Sequence, residues 1–432
     1  MQPGARLQAA IDVLTGIVEH GRPASVALAD WGKAHRFAGS ADRAWIGNLV
    51  YDSLRRKQSL SFSMQSDAPR AIALAALRYI WDLPSEEIAL LCSGEGFAPS
   101  HFTPEETKCL RARDLSDAPP WVQGDYPEWL HSSFSAAFEE NAIGEGQALA
   151  ERAPVDLRVN TLKATREKVL KAFARHGAME TAYSPVGVRL PARTGGARSA
   201  NVEADPAHGR GWFEVQDEGS QIAALLAGAD PRMQVADICA GSGGKTLAMA
   251  AQMQNTGQIY AYDSDPVRFR PIFERLKRAG ARNVQTLPPG QDGSLAALKG
   301  RMDLVLIDAP CSGTGVWRRR PDAKWRLTPA QLSARLQTQR ELLARAGPLV
   351  KPGGALAYVT CSLLTEENSG QMKRFLAETP SFSLIEARER RNGLLSHPII
   401  SADFDNRLGL LLTPARHRTD GFFIALLIKS SA

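Results

Sequence analysis

The chain has 432 residues, 44% of them hydrophobic, and a formal net charge of +6. That length allows two or three domains with a sizeable core. No apolar run reaches the roughly 18 residues of a membrane span, and the N-terminus lacks the charged-then-apolar pattern of a signal peptide. Five cysteines, an odd number with no C-x-x-C pair, argue against a disulfide framework and against a zinc site. The expectation is a reduced, soluble, cytoplasmic monomer that holds no metal.

Charge is unevenly spread. Residues 1–80 hold 10 Lys/Arg against 6 Asp/Glu, residues 81–150 hold 3 against 13, and residues 151–432 hold 39 against 27. The basic C-terminal two-thirds suits a polyanionic partner.

Residues 5–80 read as helices. In "LQAAIDVLTGIVEHG", Leu7, Ala10, Ile11, Leu14 and Val18 recur at helical spacing, with Gly21 as the stop. "GSADRAWIGNLVYDSLRRKQ" offers Ser40 as N-cap, an apolar stripe through Trp45, Leu49 and Leu54, and Arg55, Arg56 and Lys57 in the last turn. "APRAIALAALRYIWDLP" reads as a buried helix. Residues 92–127, rich in Pro, Gly and acids, read as a linker with short helices. The strand-like "VDLRVNTLK", the helical "REKVLKAFARHG" capped by Gly177, and short strands after it suggest a small α+β module.

From residue 231 strands and helices alternate. The strands are expected at 234–238, 258–263, 283–287, 303–308 and 354–360. Helices are expected near 246–253, 266–279 and 329–346, and the tail "LGLLLTP…DGFFIALLI" reads as a hairpin. Such alternation predicts a mostly parallel sheet with helices on both faces and a ligand crevice beyond the carboxyl ends of the strands.

Residues 236–252, "ADICAGSGGKTLAMAAQ", run from the first of these strands through a glycine loop into a helix. Gly244, Lys245 and Thr246 match the end of an ATP-binding loop, but Cys239 stands where its first glycine is required. The acids point elsewhere. Asp263 ends the next strand, as suits an acceptor for ribose hydroxyls; Asp292 follows the third, and Asp308 ends the fourth. Three carboxylates in one crevice repel a triphosphate and suit a nucleoside with hydroxyls, an amine and a positive sulfonium, which describes S-adenosylmethionine. An ATPase using Asp308 for magnesium is the lesser reading.

Two cysteines open onto the same crevice: Cys311 in "LVLIDAPCSGTG" and Cys361 in "ALAYVTCSLLTEEN". Methylation at C5 of a pyrimidine needs such a pair. C5 is too poor a nucleophile until a thiolate adds at C6, and the adduct must afterwards lose the C5 proton and release the thiol. Asp308 lies three residues from Cys311, placed to assist at the base's N3.

At these residues the sequence resembles the RNA (cytosine-5)-methyltransferases of the NOL/NOP/Sun type. The resemblance covers about residues 150–432 and rests on "LRVNTLK", "VQDEGSQ", "CAGSGGKT", "DAPCSGTG", "RRRPDAKW", "VTCS" and "TDGFF" in the family's order. It implies that Cys361 is the nucleophile and that Cys311 helps to eliminate it, with Asp308 and Lys245 completing the catalytic set. It places S-adenosylmethionine on Cys239, Ala240, Gly241, Ser242, Gly243, Gly244, Lys245, Asp263, Asp292 and Asp308. The family loop usually reads C-A-A-P-G-G-K; Gly241 and Ser242 replace its Ala-Pro pair, which lowers the expected backbone rigidity.

The N-terminal stretch "FAGSADRAWIGNLVYDSLRR" is similar to helical RNA-binding modules of the NusB type, a fusion found in the branch of the family that modifies bacterial 16S rRNA. The implied architecture is a helical NusB-like module with its linker at 1–145, a small α+β module at 146–230, and a Rossmann-like class I methyltransferase domain at 231–432. The implied partner is RNA, 16S rRNA in the first instance, with tRNA as the rival; a non-catalytic RNA-binding assembly factor with the same fold is the alternative from another class. In "GVWRRRPDAKWRL", Arg318, Arg319, Arg320 and Lys324 suit phosphates, and Trp325 suits an unpaired base.

Overall fold

The computed structural model describes residues 1–432 except 199, 291, 386–392, 403–407, 432 and the side chain of Asp292. Residues 3–91 form six helices, Pro3–Val18, Ala24–Ala34, Ser40–Arg55, Lys57–Met64, Pro69–Tyr79 and Ser85–Leu91. The helical spacing seen in the sequence is the buried face: Leu7, Ala10, Leu14, Leu49 and all of residues 71–77 are at most 6% exposed and share one core. Capping differs by one position from the expectation. Gly39 is the N-cap of Ser40–Arg55 and Asp42 reaches back to its N–H at 3.1 Å, so Ser40 is the first helical residue.

The small module is a four-stranded antiparallel sheet. Its strands are β1 (Val155–Val159), β2 (Met179–Glu180), β3 (Gly187–Leu190) and β4 (Phe213–Val215), in the order β2-β3-β1-β4. Its core, including Leu157, Val169, Phe173, Val188 and Phe213, is separate from the others.

The large sheet holds β5 (Gln234–Asp237), β6 (Gln258–Ala261), β7 (Val284–Thr286), β8 (Met302–Asp308), β9 (Val350–Thr360), β10 (Phe382–Leu384), β11 (Leu410–Leu412) and β12 (Phe422–Lys429). Strand order is β10-β12-β9-β8-β5-β6-β7, with β11 paired to β12 as the expected tail hairpin. The run β7-β6-β5-β8-β9 is parallel, and β12 enters antiparallel between β9 and β10. The chain reverses direction across the sheet at β5, between β6 and β8. This is where a crevice opens at the carboxyl ends of an open α/β sheet.

Two segments pack on a different side of the expected boundaries. The helix Glu218–Ala227 buries Ile222, Ala223 and Leu226 in one core with β5, β12 and the helix Gly244–Gln252, so it packs with the large sheet. The helices between residues 120 and 149 send Tyr126, Leu130, Phe134 and Leu149 into the same core as Trp317 and Leu363. Apolar residues along a sequence show that a segment is buried without showing against what.

Candidate functional site

The glycine loop follows β5 directly. Gly241 and Gly243 adopt φ of +51° and +87°, the left-handed region where a side chain is strained. The glycines do different work. A Cβ on Gly243 would lie 2.6 Å from Ile272 Cγ1, so its lack of a side chain lets the loop close onto the helix Ile272–Ala279. A Cβ on Gly241 would meet nothing nearer than 3.7 Å, which leaves its backbone face open to a ligand. Gly244 begins the helix Gly244–Gln252, so the loop ends on free N–H groups at a helix start.

The acids converge on this loop. Asp263 Oδ2 accepts the Gly241 N–H at 2.8 Å and its Oδ1 accepts the Asp265 N–H at 2.9 Å, which fixes the carboxylate at the loop while each oxygen keeps a lone pair for a hydroxyl. Asp308 pairs with Lys245 Nζ at 2.7 Å and remains 36% exposed at its side chain, open to the crevice. Asp292 starts the short helix Asp292–Ala296, and its side chain lies outside the described residues. This donor set fits S-adenosylmethionine by its chemistry: backbone N–H groups, an anchored carboxylate with lone pairs free for hydroxyls, and a second, partly exposed carboxylate that suits a positive group.

Asp237, at the end of β5, was not singled out by its sequence. It accepts Thr246 Oγ1 at 2.7 Å, while its buried Oδ1 has no partner. Burial, with a smaller contribution from Asp308, pushes its pKa from 3.8 up to about 7. A carboxyl raised in the folded state stabilises most below its unfolded pKa, and that contribution is lost as pH rises through the folded value. Between about pH 4 and pH 7 the wild type should therefore lose stability relative to Asp237→Asn, by up to about 1.4 kcal/mol per pH unit. Urea denaturation of both proteins at several pH values checks this, and parallel curves would mean that Asp237 is ionised throughout.

Four more residues hold the loop, all contributed or oriented by the small module. Arg158, on β1 and 4% exposed, donates to the Gly244 carbonyl at 2.5 Å and to Gln216 Oε1 at 2.6 Å. Arg275 donates to the Ser242 carbonyl at 2.9 Å and its Oγ at 2.7 Å, and is itself paired with Glu214 of β4 at 2.9 Å. The rigidity expected to fall where Gly241 and Ser242 replace Ala-Pro is supplied by this arginine. A sequence signal existed. Asp156, Arg158 and Asn160 alternate along an otherwise apolar strand, so one face of β1 had to be buried and paired.

The two sulfurs meet. Cys311 follows β8, Cys361 follows β9, and the strands are adjacent, so Sγ to Sγ is 3.4 Å. The hydrogen bond between the sulfurs, together with burial, raises the Cys311 pKa well above the ordinary thiol value. Glu367, fully buried, ties the two loops together. It accepts the Ser312 N–H at 2.8 Å, the Ser312 Oγ at 2.5 Å and Gln339 Nε2 at 2.9 Å, from a segment only six residues past Cys361. A cleft of about 390 Å³ opens beside Cys311, and the exposed Arg326 and Arg335 line it.

The basic segment after Cys311 requires a correction. Of the five residues assigned to RNA, only Arg320 is exposed. Arg318 is 5% exposed and pairs with Asp420 at 2.5 Å and Asp217 at 3.3 Å; Arg319 pairs with the same two acids and donates to the Pro154 carbonyl at 2.9 Å. Lys324, 1% exposed, donates to the carbonyls of Arg55 at 2.8 Å and Asp125 at 2.5 Å, and burial lowers its pKa to about 7. Trp325 Nε1 donates to the Leu54 carbonyl at 2.7 Å. The segment clasps the helical module, the small module and the C-terminal tail. Its partner acids are about a hundred residues away along the chain, which is why its charge looked free.

Comparison with known proteins agrees with this geometry. Residues 223–428 match the family model for the 16S rRNA methyltransferase RsmB/F, and residues 126–194 match the ferredoxin-like domain of RsmF/B-like methyltransferases. A probable ribosomal RNA small subunit methyltransferase B from Synechocystis is 30% identical, over 90% of this chain and 92% of the relative. The ribosomal RNA small subunit methyltransferase B of Cronobacter sakazakii is 34% identical over 70% of this chain and 66% of the relative. The crystal structure of PH0851 superposes with a TM-score of 0.75 at 25% identity, covering 99% of each chain. With the loop, the acids and the paired cysteines in place, the chain belongs to the RsmB/F family and is an S-adenosylmethionine-dependent RNA methyltransferase.

Proposed function

We propose that the protein methylates C5 of a cytosine in small-subunit ribosomal RNA through a covalent adduct between Cys361 and C6. The observation that carries this reading is the 3.4 Å approach of the Cys311 and Cys361 sulfurs, on the sheet edge that also carries the glycine loop. S-adenosylmethionine, bound by the loop, supplies an electrophilic methyl group. Everything else falls to the chain. The Cys361 sulfur gives its proton to solvent in the cleft, bonds to C6 and moves the C5=C6 pair to C5, which takes the methyl while the donor's sulfonium sulfur leaves as a neutral thioether. The C5 proton then leaves to a solvent base in the cleft, the S–C6 electron pair returns to Cys361, and the Cys311 S–H, 3.4 Å away, receives the departing thiolate as a hydrogen-bond donor. Glu367 holds the Cys311 loop for that step.

The target base must leave its stack to reach these sulfurs, at a cost of roughly a few kcal/mol. We read the cleft beside Cys311 as its path, with Arg326 and Arg335 toward the phosphates. Ribosomal RNA is favoured over tRNA by the relatives' names and by the fused helical module. Bisulfite sequencing of total RNA with and without the protein distinguishes them.

The mechanism is tested by Cys311→Ala. Without the group that assists elimination, the enzyme should methylate once and then stay attached to its RNA. A slowly migrating protein–RNA band on a denaturing gel, dependent on S-adenosylmethionine, is the expected result. Free RNA alone at full turnover would remove Cys311 from the release step.

A further inference from the structure

The N-terminal helical module carries a groove of about 1020 Å³, formed by the start of the first helix, the end of the second and the residues around 87–98. Three of the most exposed large apolar side chains of the described chain line it: Phe37 at 74%, Leu90 at 79% and Phe97 at 84%. Soluble monomers seldom leave large apolar residues grouped in this way without a partner. The groove lies at the upper end of small-ligand volumes, and its exposed apolar lining suits the apolar stripe of a helix.

Its charge selects among occupants. Asp12, Glu87 and Glu95 line it, and among the described lining residues there is no lysine or arginine. Residues 81–98, whose later part lines the groove, hold four acids and no lysine or arginine. An acidic rim repels phosphate and so disfavours RNA. It also disfavours a second copy meeting the groove with its own, because a two-fold contact would place acid against acid. A basic, amphipathic helix satisfies both parts, with its apolar stripe on Phe37, Leu90 and Phe97 and its lysines or arginines at the three carboxylates. We propose that this groove docks such a helical segment of another protein. The helical module is then a protein-binding adaptor on this face, whatever the catalytic domain modifies.

The probe is a fluorescent synthetic helix of about 18 residues with leucines at i, i+3, i+4 and i+7 and lysines elsewhere. It is titrated into the full-length protein and followed by anisotropy. The expected result is saturable binding that weakens at least tenfold in the Leu90→Ser/Phe97→Ser variant. Glu87→Gln/Glu95→Gln should weaken it and flatten its salt dependence. S-adenosylmethionine binding by calorimetry should be unchanged in both variants, and far-UV circular dichroism melts matching the wild type show that the helical module remains folded. The proposal is overturned if the same peptide with glutamates for lysines binds as tightly. It is also overturned if a 16S rRNA fragment displaces the peptide and loses affinity in the variants, or if sedimentation shows a dimer that the variants dissociate.

Discussion

Cys361→Ser should abolish methyl transfer, by roughly 10⁴-fold or more, while S-adenosylmethionine still binds. The loss follows from the reaction's first requirement. C5 of cytosine does not attack a methyl sulfonium unless a strong nucleophile has first added at C6, and a serine hydroxyl is un-ionised at neutral pH. The substitution is conservative in every other respect. Cys361 lies at the end of β9, partly buried, and serine fits the same space. The glycine loop proposed to hold the donor lies beyond β5 and shares no hydrogen bond with Cys361. Calorimetry with the donor should therefore match the wild type while incorporation of labelled methyl into RNA falls to background. Substantial residual turnover would mean that the adduct forms elsewhere. In that case Cys311→Ala, not Cys361→Ser, should be the inactive protein. The two variants together thus assign nucleophile and release group even if the order proposed here is inverted.

Asp420→Ala should destabilise the protein by about 3–5 kcal/mol, the range for removing one partner of a buried ion pair. Asp420 is 1% exposed and sits opposite both Arg318 and Arg319, with Asp217 completing the four-charge cluster. Removing it leaves Arg318, 5% exposed, with only its 3.3 Å contact to Asp217. The consequence extends to architecture. Asp217 is the N-cap of the helix Glu218–Ala227, and the Asp420 N–H donates to it at 3.0 Å, so the tail, that helix and the strap after Cys311 are one unit. Chemical denaturation monitored at Trp317, buried in the catalytic core, measures the loss. Unchanged stability with weakened RNA affinity would return these arginines to the RNA surface from which the structure removes them. Asp420→Asn, which keeps one acceptor oxygen but loses the charge and the other acceptor, should fall between the alanine variant and the wild type.

Much of the catalytic domain was legible along the chain because its determinants are local. The strands announce themselves as short apolar runs, and the glycine loop, Asp263 and Asp308 each sit at a strand end. A parallel sheet brings all its strand ends to one edge, so sequence position alone implied one crevice. The pairing of Cys311 with Cys361 was legible for the same reason once their strands were neighbours. The helical character of residues 5–80 was equally plain, from apolar spacing that recurs every third or fourth residue.

What only the tertiary structure decided concerns partners distant in sequence. Arg318, Arg319 and Lys324 carry the same side chains whether they face phosphate or Asp217, Asp420 and buried carbonyls, and charge counted along a chain cannot tell these apart. Arg158, Gln216 and Arg275 became parts of the glycine-loop site because the small module folds its β1 and β4 against that loop. The raised pKa of Asp237 arises from burial, which no residue carries in its name. Chemistry confined to one strand end was written in the sequence; electrostatics, which depends on what lies within a few ångströms in space, had to wait for the fold.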